Sequence, residues 1–489
     1  MSPETAILAA LGIPSLGALL IGLTGRSPNL RESVTLVTAT LLFATVTTLF
    51  APVLEGARPS VQLGEMLPGL FIQFTVEPLG MTFAAIASFL WIVNSLYSIG
   101  YMRANNEGKQ TRFYICFAIA LASTMGVAFA GNMLTLFVCY EVLTICTYPL
   151  VTHAGTDNAR RSGRIYLGIL LLTSIGLQLL AILGTWLAAG TLDFQQGGIL
   201  NGKVENGIAG ILLFLYMFGI GKAAMMPVHR WLPAAMVAPT PVSALLHAVA
   251  VVKAGVFTVV KVIVYIFGID FLSDMVSPDW LLYVSGFTII SASIIALRQD
   301  NLKRRLAYST ISQLSYVVMA AAILAPLSIV GATLHIAAHA FGKITLFFAA
   351  GSIYTAAHKT EVSQLNGIGR RMPWTMGAFT IGALSMIGVP PTAGFVSKWY
   401  ILQGAMDAEQ MLAVAVIILS ALLNAGYFLP IVHAAFFKEA KAGTGHEGHH
   451  DDHGEAPLPI VVALTITASL TLLMFLFPTP FITLASQLI

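Results

Sequence analysis

The sequence predicts an all-α integral membrane protein of about fourteen transmembrane helices, and three observations carry that prediction. Of its 489 residues, 57% are hydrophobic and only 10% charged, where an ordinary soluble domain carries roughly a quarter charged residues. Apolar runs of roughly 18–25 residues, long enough to cross the hydrocarbon core, recur along the whole chain. The loops between those runs alternate in charge.

In order, the runs fall near 5–25, 34–53, 80–101, 112–130, 132–152, 164–186 and 207–228, then 241–268, 277–297, 304–324, 327–355, 373–403, 411–436 and 457–477. The opening MSPETAILAALG has Glu4 in place of the basic segment of a signal peptide, so the first run is expected to remain as a helix. Odd-numbered loops hold the basic residues: Arg26 and Arg31; Arg103, Lys109 and Arg112; Arg160, Arg161 and Arg164; Lys303, Arg304 and Arg305; Arg370 and Arg371. Even-numbered loops are acidic or neutral, as with Glu55, Glu65 and Glu77, or Asp270, Asp274 and Asp279. The positive-inside rule then makes the odd loops cytoplasmic and places both termini outside. Residues 54–79 are expected to form a small outer hairpin and 438–456 a polar, His-rich cytoplasmic loop, so 1–489 reads as a single transmembrane domain. The net charge of +3 is spread over short loops, which excludes a nucleic-acid-binding face. Cys116, Cys139 and Cys146 lie in apolar stretches, and the last two share one helix, too far apart to bridge, so no disulfide framework is expected.

Two of the helices are interrupted. In GIGKAAMMPVHRWLPAAMVAPTP, the seventh, Lys222 sits between glycines and Pro227; in SMIGVPPTAGFVSKWYI, the twelfth, Pro390 and Pro391 precede Lys398 by about two turns. Irregular backbone at membrane depth survives only where protein or water satisfies it. The breaks take corresponding positions if helices four to eight (112–268) and nine to thirteen (277–437) are two copies, and an offset of five helices reverses direction. Inverted repeats with broken helices are a transporter signature.

Charges stand at the centres of several helices: Glu141 in the fifth, Lys222 in the seventh, Lys253 in the eighth, Lys343 in the eleventh and Lys398 in the twelfth. Each costs about 2.5–3.5 kcal/mol at the bilayer centre, so together they imply a polar interior, read as an ion or proton path. An amine removed from water gives up its proton more readily, which makes Lys222, Lys253 and Lys398 candidate proton relays. The plain alternative is a lysine that snorkels or ties down a helix break. Lys261, nearer the outer end of the eighth helix, is expected to snorkel. Glu141 is the lone acid of its helix; beside a lysine it holds the ammonium charged, and a movable partner makes that contact a switch. Its plain alternative is a protonated carboxyl bonded to a neighbouring helix.

LHIAAHAFGKITLFF places His335, His339 and Lys343 at successive spacings of four, about 6 Å per step along one face, a file suited to proton hopping. A zinc reading fails on the missing HExxH glutamate and the adjacent ammonium, so no metal is expected. His229, His247, Tyr308 and Ser312 are accessory candidates; Tyr308, Ser309, Thr310, Ser312 and Gln313 of the tenth helix can hold water or make ordinary interhelical hydrogen bonds. GTGHEGHHDDHGE, with His446, His449, His450 and His453, reads as a solvated low-complexity loop. Nothing in the chain binds flavin, haem or an iron–sulfur cluster, so no cofactor and no catalytic centre of its own are expected.

The strings GKAAMMPVHRWLPAAMVAPTPVSALLHAVAVVKAGVF, DNLKRRLAYSTISQLSY, LHIAAHAFGKITLFF and GVPPTAGFVSKWYI resemble the antiporter-like subunit family shared by respiratory complex I and the multi-subunit Mrp cation/proton antiporters. The likeness covers nearly the whole chain, in the family's order, and each motif surrounds a membrane-embedded titratable residue. It implies fourteen helices with two inverted five-helix repeats. It also implies a glutamate on helix five paired with a lysine on helix seven, here Glu141 and Lys222. A central hydrated axis would pass Lys253, His339 and Lys343 and leave through Lys398, each protonation lowering the proton affinity of the next amine. One complex I member has glutamate at the helix-twelve position, where this chain has Lys398, and only one helix follows the loop ending near 456. Size, lysine pattern and ending are most similar to a D-type Mrp subunit. The implied setting is a bacterial inner membrane, with the lipid bilayer, other subunits of an Mrp-type or complex I-like assembly, protons, and Na+ or K+ as partners. The implied function is proton translocation in a monovalent cation/proton antiporter. The alternatives are a pumping subunit of a complex I-like or hydrogenase redox complex, or of an inorganic-carbon uptake complex. No acid-rich oxygen cage for a monovalent cation is visible, so cation coupling requires partner subunits, and a passive scaffold leaves the buried lysines unexplained.

Overall fold

The computed structural model describes residues 1–274, 279–439 and 454–489, and it is an all-α membrane architecture with one small hairpin. Eleven of the described helices are long and apolar enough to cross a membrane. In chain order the structure contains α1 (Pro3–Leu23), α2 (Pro28–Leu54), α3 (Pro78–Ala104), α4 (Gln110–Ala128), α5 (Met133–Val151) and α6 (Asp157–Ala189). A shorter apolar helix, α7 (Asn206–Gly219), precedes the first break and is followed by α8 (Thr240–Phe267). Then come α9 (Asp279–Leu297), α10 (Leu302–Ala322) and α11 (Pro326–Ala357), with α12 (Pro373–Ile387) and α13 (Ala393–Asp407) flanking the second break, then α14 (Met411–Phe437) and α15 (Leu458–Leu476), and finally a short helix, α16 (Thr479–Ser486), which adds to the one helix expected after residue 456. Histidines 446, 449, 450 and 453 of the polar loop lie outside the described residues.

Local chemistry sets many of the helix starts. Asn132 accepts from the backbone N–H of Thr135 at 2.8 Å to cap α5, and Asn301 accepts from Arg304 at 3.1 Å to cap α10. Proline opens α2, α3, α11 and α12, where its missing N–H has no helical partner to lose. The expected hairpin is formed by β1 (Ser60–Leu67) and β2 (Leu70–Thr75), paired antiparallel. It seats against the start of α5, where the Asn132 amide donates to the Phe71 carbonyl at 2.8 Å and the Gln73 N–H donates to the Thr135 hydroxyl at 3.1 Å.

Several helices have no lipid-facing side, α10 being buried throughout Ser309–Ala322. The membrane-spanning windows of α8 and α11 are buried along their whole length, whereas those of α1, α2, α6, α14 and α15 are 33–39% buried. A helix that is apolar all round belongs inside a bundle, and α11 is wrapped by α3, α8, α10, α12, α13 and α15. Tyr97 of α3 stacks on Phe348 of α11 at 3.9 Å and donates its hydroxyl to that residue's carbonyl at 3.1 Å. The polar side chains of α8 and α11 therefore face protein and not lipid.

Both breaks have their polar backbone satisfied by protein. At the first, the Lys222 N–H donates to the Tyr140 hydroxyl at 3.1 Å and the Trp231 indole donates to the Gly221 carbonyl at 2.9 Å. Gly255 of α8 touches this break so closely that a Cβ would collide with the Lys222 carbonyl group. At the second, the Ser385 hydroxyl accepts from the Gly394 N–H at 3.1 Å, and a Cβ on Gly394 would collide with the Ser385 carbonyl. The breaks are thus packed backbone to backbone, which is why small residues surround them.

Lys261 corrects the snorkelling expectation. It is fully buried on α8 and ion-paired with Glu77, the residue immediately before α3. The ring of Phe194 lies 4.1 Å from its Nζ and that of Tyr265 4.9 Å away, so aromatic side chains close the route to the interface. Breaking a buried pair by removing one partner costs about 3–5 kcal/mol, whereas replacing both with apolar groups is often neutral. Glu77→Leu should therefore lower the thermal midpoint of the purified protein sharply, and Glu77→Leu with Lys261→Met should recover most of the loss.

Candidate functional site

Four further lysines, Lys222, Lys253, Lys343 and Lys398, are buried, and none of the ion pairs among the described residues includes any of them. Their partners are neutral. The Lys222 ammonium donates to the Tyr140 carbonyl at 2.8 Å and to the Thr144 hydroxyl at 2.5 Å, and lies 3.1 Å from the centre of the Tyr140 ring. Lys253 of α8 meets Nδ1 of His339 on α11 at 2.6 Å. Lys343, one turn further along α11, donates to Ser309 of α10 at 2.9 Å. Lys398 of α13 donates to the carbonyls of Met386 and Ile387 at 2.6 and 3.2 Å, the last carbonyls of α12. Free carbonyls at a helix C-terminus carry partial negative charge, so the second break itself supplies the electrostatic seat for this amine.

The file His335, His339 and Lys343 does share a face of α11, and each member reaches a different helix. His335 Nδ1 bonds Ser397 of α13 at 2.9 Å, His339 reaches α8, and Lys343 reaches α10. The imidazoles of His335 and His339 are 6.2 Å apart. His335 stacks on Tyr316 at 5.5 Å, and the Lys398 amine lies 4.7 Å from the same ring. Among the described residues there is no cluster of three or more His, Cys, Asp or Glu side chains that could hold a metal.

Glu141 does not form the direct ion pair with Lys222 that the resemblance implies. Tyr140 and Thr144, one turn apart, present to the break, and Glu141 is about 100° further round α5, towards the exposed Val142 and Ile145. Its Oε1 is buried with no hydrogen-bond partner among the described residues. The accessory candidates separate. His229 stands beside Tyr308 at 6.4 Å, linking the first break to α10. Ser312 bonds Ser293 of α9 at 3.0 Å, the ordinary interhelical bond. His247 packs on Phe347 at 4.6 Å, and neither ring nitrogen has a partner among the described residues.

Sequence reasoning missed Tyr140, Thr144, Tyr316, Ser397, Asn424 and Tyr427. A signal for two of them was available: in the apolar α14, Ser420, Asn424 and Tyr427 recur at spacings of four and three, which places them on one face. Asn424 donates to the Met386 carbonyl at 3.2 Å, and the Tyr427 hydroxyl reaches both Asn424 Oδ1 and, at 3.1 Å, Ser309.

Residues 130–424, more than half of the chain and the segment that holds all of these groups except Tyr427, match the family described as NADH:quinone oxidoreductase/Mrp antiporter, transmembrane. The chain belongs to this family. It is 32% identical over 374 residues to NADH-quinone oxidoreductase subunit N of Desulforudis audaxviator, covering 75% of this chain and 73% of that protein. It is 28% identical over 488 residues to hydrogenase-4 component B of Escherichia coli, covering 95% of this chain and 68% of that one. Other relatives are longer, and the chain spans 52% and 63% of two of them. A subunit of the Mrp complex from Dietzia superposes with a TM-score of 0.87 at 20% identity, over 100% of this chain and 97% of the other. The family match and the fold together make this an antiporter-like membrane subunit of the kind found in Mrp and complex I-like assemblies.

The geometry separates two buried histidines by their partners. His339→Leu strands the Lys253 amine, an orphaned buried polar group costing about 1–3 kcal/mol, whereas His247→Leu strands no protein group among the described residues and should cost less. Thermal unfolding of the purified variants reads this contrast directly.

Proposed function

We propose that this chain is the proton-translocating membrane subunit of a multi-subunit assembly driven by electron transfer in partner subunits. The observation that carries the reading is the absence, among the described residues, of carboxylate partners for four buried amines, set against Lys261, whose charge is fixed by Glu77. An amine held only by carbonyls, hydroxyls and imidazole can change protonation state without stranding a buried counter-charge, so it suits a relay. The unpartnered ring nitrogens of His247, His335 and His339, with both amide atoms of Gln313, line the same interior and call for water as their partner.

In this scheme a proton enters at the first break, passes from Lys222 to Lys253 and His339, reaches Lys343 and leaves at Lys398. Each new positive charge repels the next and drives it onward. Glu141, displaced from Lys222 by part of a turn, acts as the movable partner that stabilises the first ammonium when it approaches. The two breaks then belong to inverted copies at 112–268 and 277–437, with both termini outside the cytoplasmic membrane.

The redox driver is supported by the identities to a quinone oxidoreductase subunit and a hydrogenase component. A second reading, Na+ or K+/proton antiport in an Mrp-type assembly, is favoured by Lys398, an amine where one complex I member has an acid. Purification of the intact assembly in mild detergent separates the two: cluster- or flavin-bearing partners support the redox driver, and only small hydrophobic partners support antiport.

Lys222→Ala and Lys398→Ala should each reduce proton movement in everted membrane vesicles to background while the subunit stays assembled at normal abundance. Wild-type rates in either variant contradict the relay.

A further inference from the structure

Between Lys343 and Lys398 the structure holds an unbroken line of hydrogen bonds made by residues with no assigned part in the reaction. Lys343 donates to Ser309, Ser309 meets the Tyr427 hydroxyl, Tyr427 meets Asn424 Oδ1, and the Asn424 amide donates to the Met386 carbonyl that also accepts from Lys398. Ser309, Asn424 and Tyr427 are buried, so water does not compete freely for these groups. Tyr427 is also fixed from behind, since Arg305 donates to its carbonyl at 3.1 Å.

Tyr427 has one hydroxyl hydrogen and two acceptors in reach, and it can serve only one at a time. When Lys343 is charged, its N–H occupies the Ser309 oxygen, the serine hydroxyl turns to donate to Tyr427, and Tyr427 donates to Asn424. When Lys343 is neutral, its nitrogen accepts the Ser309 hydroxyl, and Tyr427 is drawn to donate to Ser309 instead. Asn424 then loses a donor at Oδ1, and its grip on the Met386 carbonyl shared with Lys398 changes with it. We propose that Tyr427 and Asn424 form a two-state hydroxyl switch that makes the charge of Lys343 and the charge of Lys398 depend on each other. The amide of Asn424 does not carry a proton in this scheme; both residues act as positioning residues between the two amines. Because coupling is reciprocal, the switch both reports loading at Lys343 to the exit lysine and reports release at Lys398 back. This inference rests on the proton-translocation reading above.

The test is proton movement by the intact assembly in everted vesicles, driven by whichever electron donor or cation the assembly responds to. Tyr427→Phe keeps the ring and deletes only the hydroxyl, while Tyr427→Leu also removes the packing. If the residue only packs, Phe restores wild-type flux and Leu does not. On the switch, Phe lowers flux by about tenfold or more, the scale set by orphaning one buried polar group, at unchanged abundance of the assembled subunit. Asn424→Leu should give a similar loss, and combining it with Tyr427→Phe should add little, because the two act as a unit. If Tyr427→Phe does not assemble, Asn424→Leu is judged by the same flux criterion. Wild-type flux in Tyr427→Phe, with Lys398→Ala inactive, overturns the switch and leaves the relay standing. Wild-type flux in Lys398→Ala overturns the relay, and the switch with it.

Discussion

Keeping an amine away from bulk water and lipid, with no carboxylate paired to it among the described residues, is the constraint on which the rest of this molecule depends. Lipid cannot solvate Lys253 or Lys343, so the helices that carry them must be surrounded by protein, and α8 and α11 are the two spans buried along their whole length. Helices such as α1, α2, α6, α14 and α15 can then keep an apolar face outward. The aromatic stacking of Tyr97 on Phe348 and the close approach of Gly255 to the first break follow from the need to seal this interior. Stability alone does not explain the arrangement, since apolar residues at the same positions would pack more cheaply.

The two breaks solve one problem in different ways. At the first, side chains from α5 and the Trp231 segment satisfy the irregular backbone, and Lys222 is held by the same Tyr140 that binds its N–H. At the second, the unpaired carbonyls ending α12 become the seat of Lys398. That lysine ties down the break and, in the proposed relay, is also the exit. Lys261 marks the contrast: an equally buried amine, given a carboxylate and aromatic cover, is a fixed pin between α3 and α8.

Much of the architecture was legible because membrane solvation is so restrictive. Apolar runs and loop charges located the spans, and the prolines near Lys222 and Lys398 located the breaks. Position along a helix also placed the titratable groups at depth. Direction around a helix was harder to read. Glu141 was expected to meet Lys222, but the fold turns Tyr140 and Thr144 to the break and leaves Glu141 on the next face of α5. Lys261 was misread because its partner lies 184 residues away in sequence, and no local pattern announces such a contact. Tyr427 and Asn424 were passed over because hydroxyls and amides in an apolar helix usually signal interhelical bonding alone; only their place between two lysines distinguishes them.

The central claim is that the buried amines share one wet seam, and cryo-electron microscopy of the purified assembly at a resolution that shows individual waters tests it most directly. The account predicts ordered waters bonded to the free nitrogens of His247, His335 and His339 and to the Gln313 amide, joining the Lys222, Lys253 and Lys343 sites into one connected file. Dry apolar packing between those sites, with the same nitrogens enclosed by hydrocarbon, would contradict it.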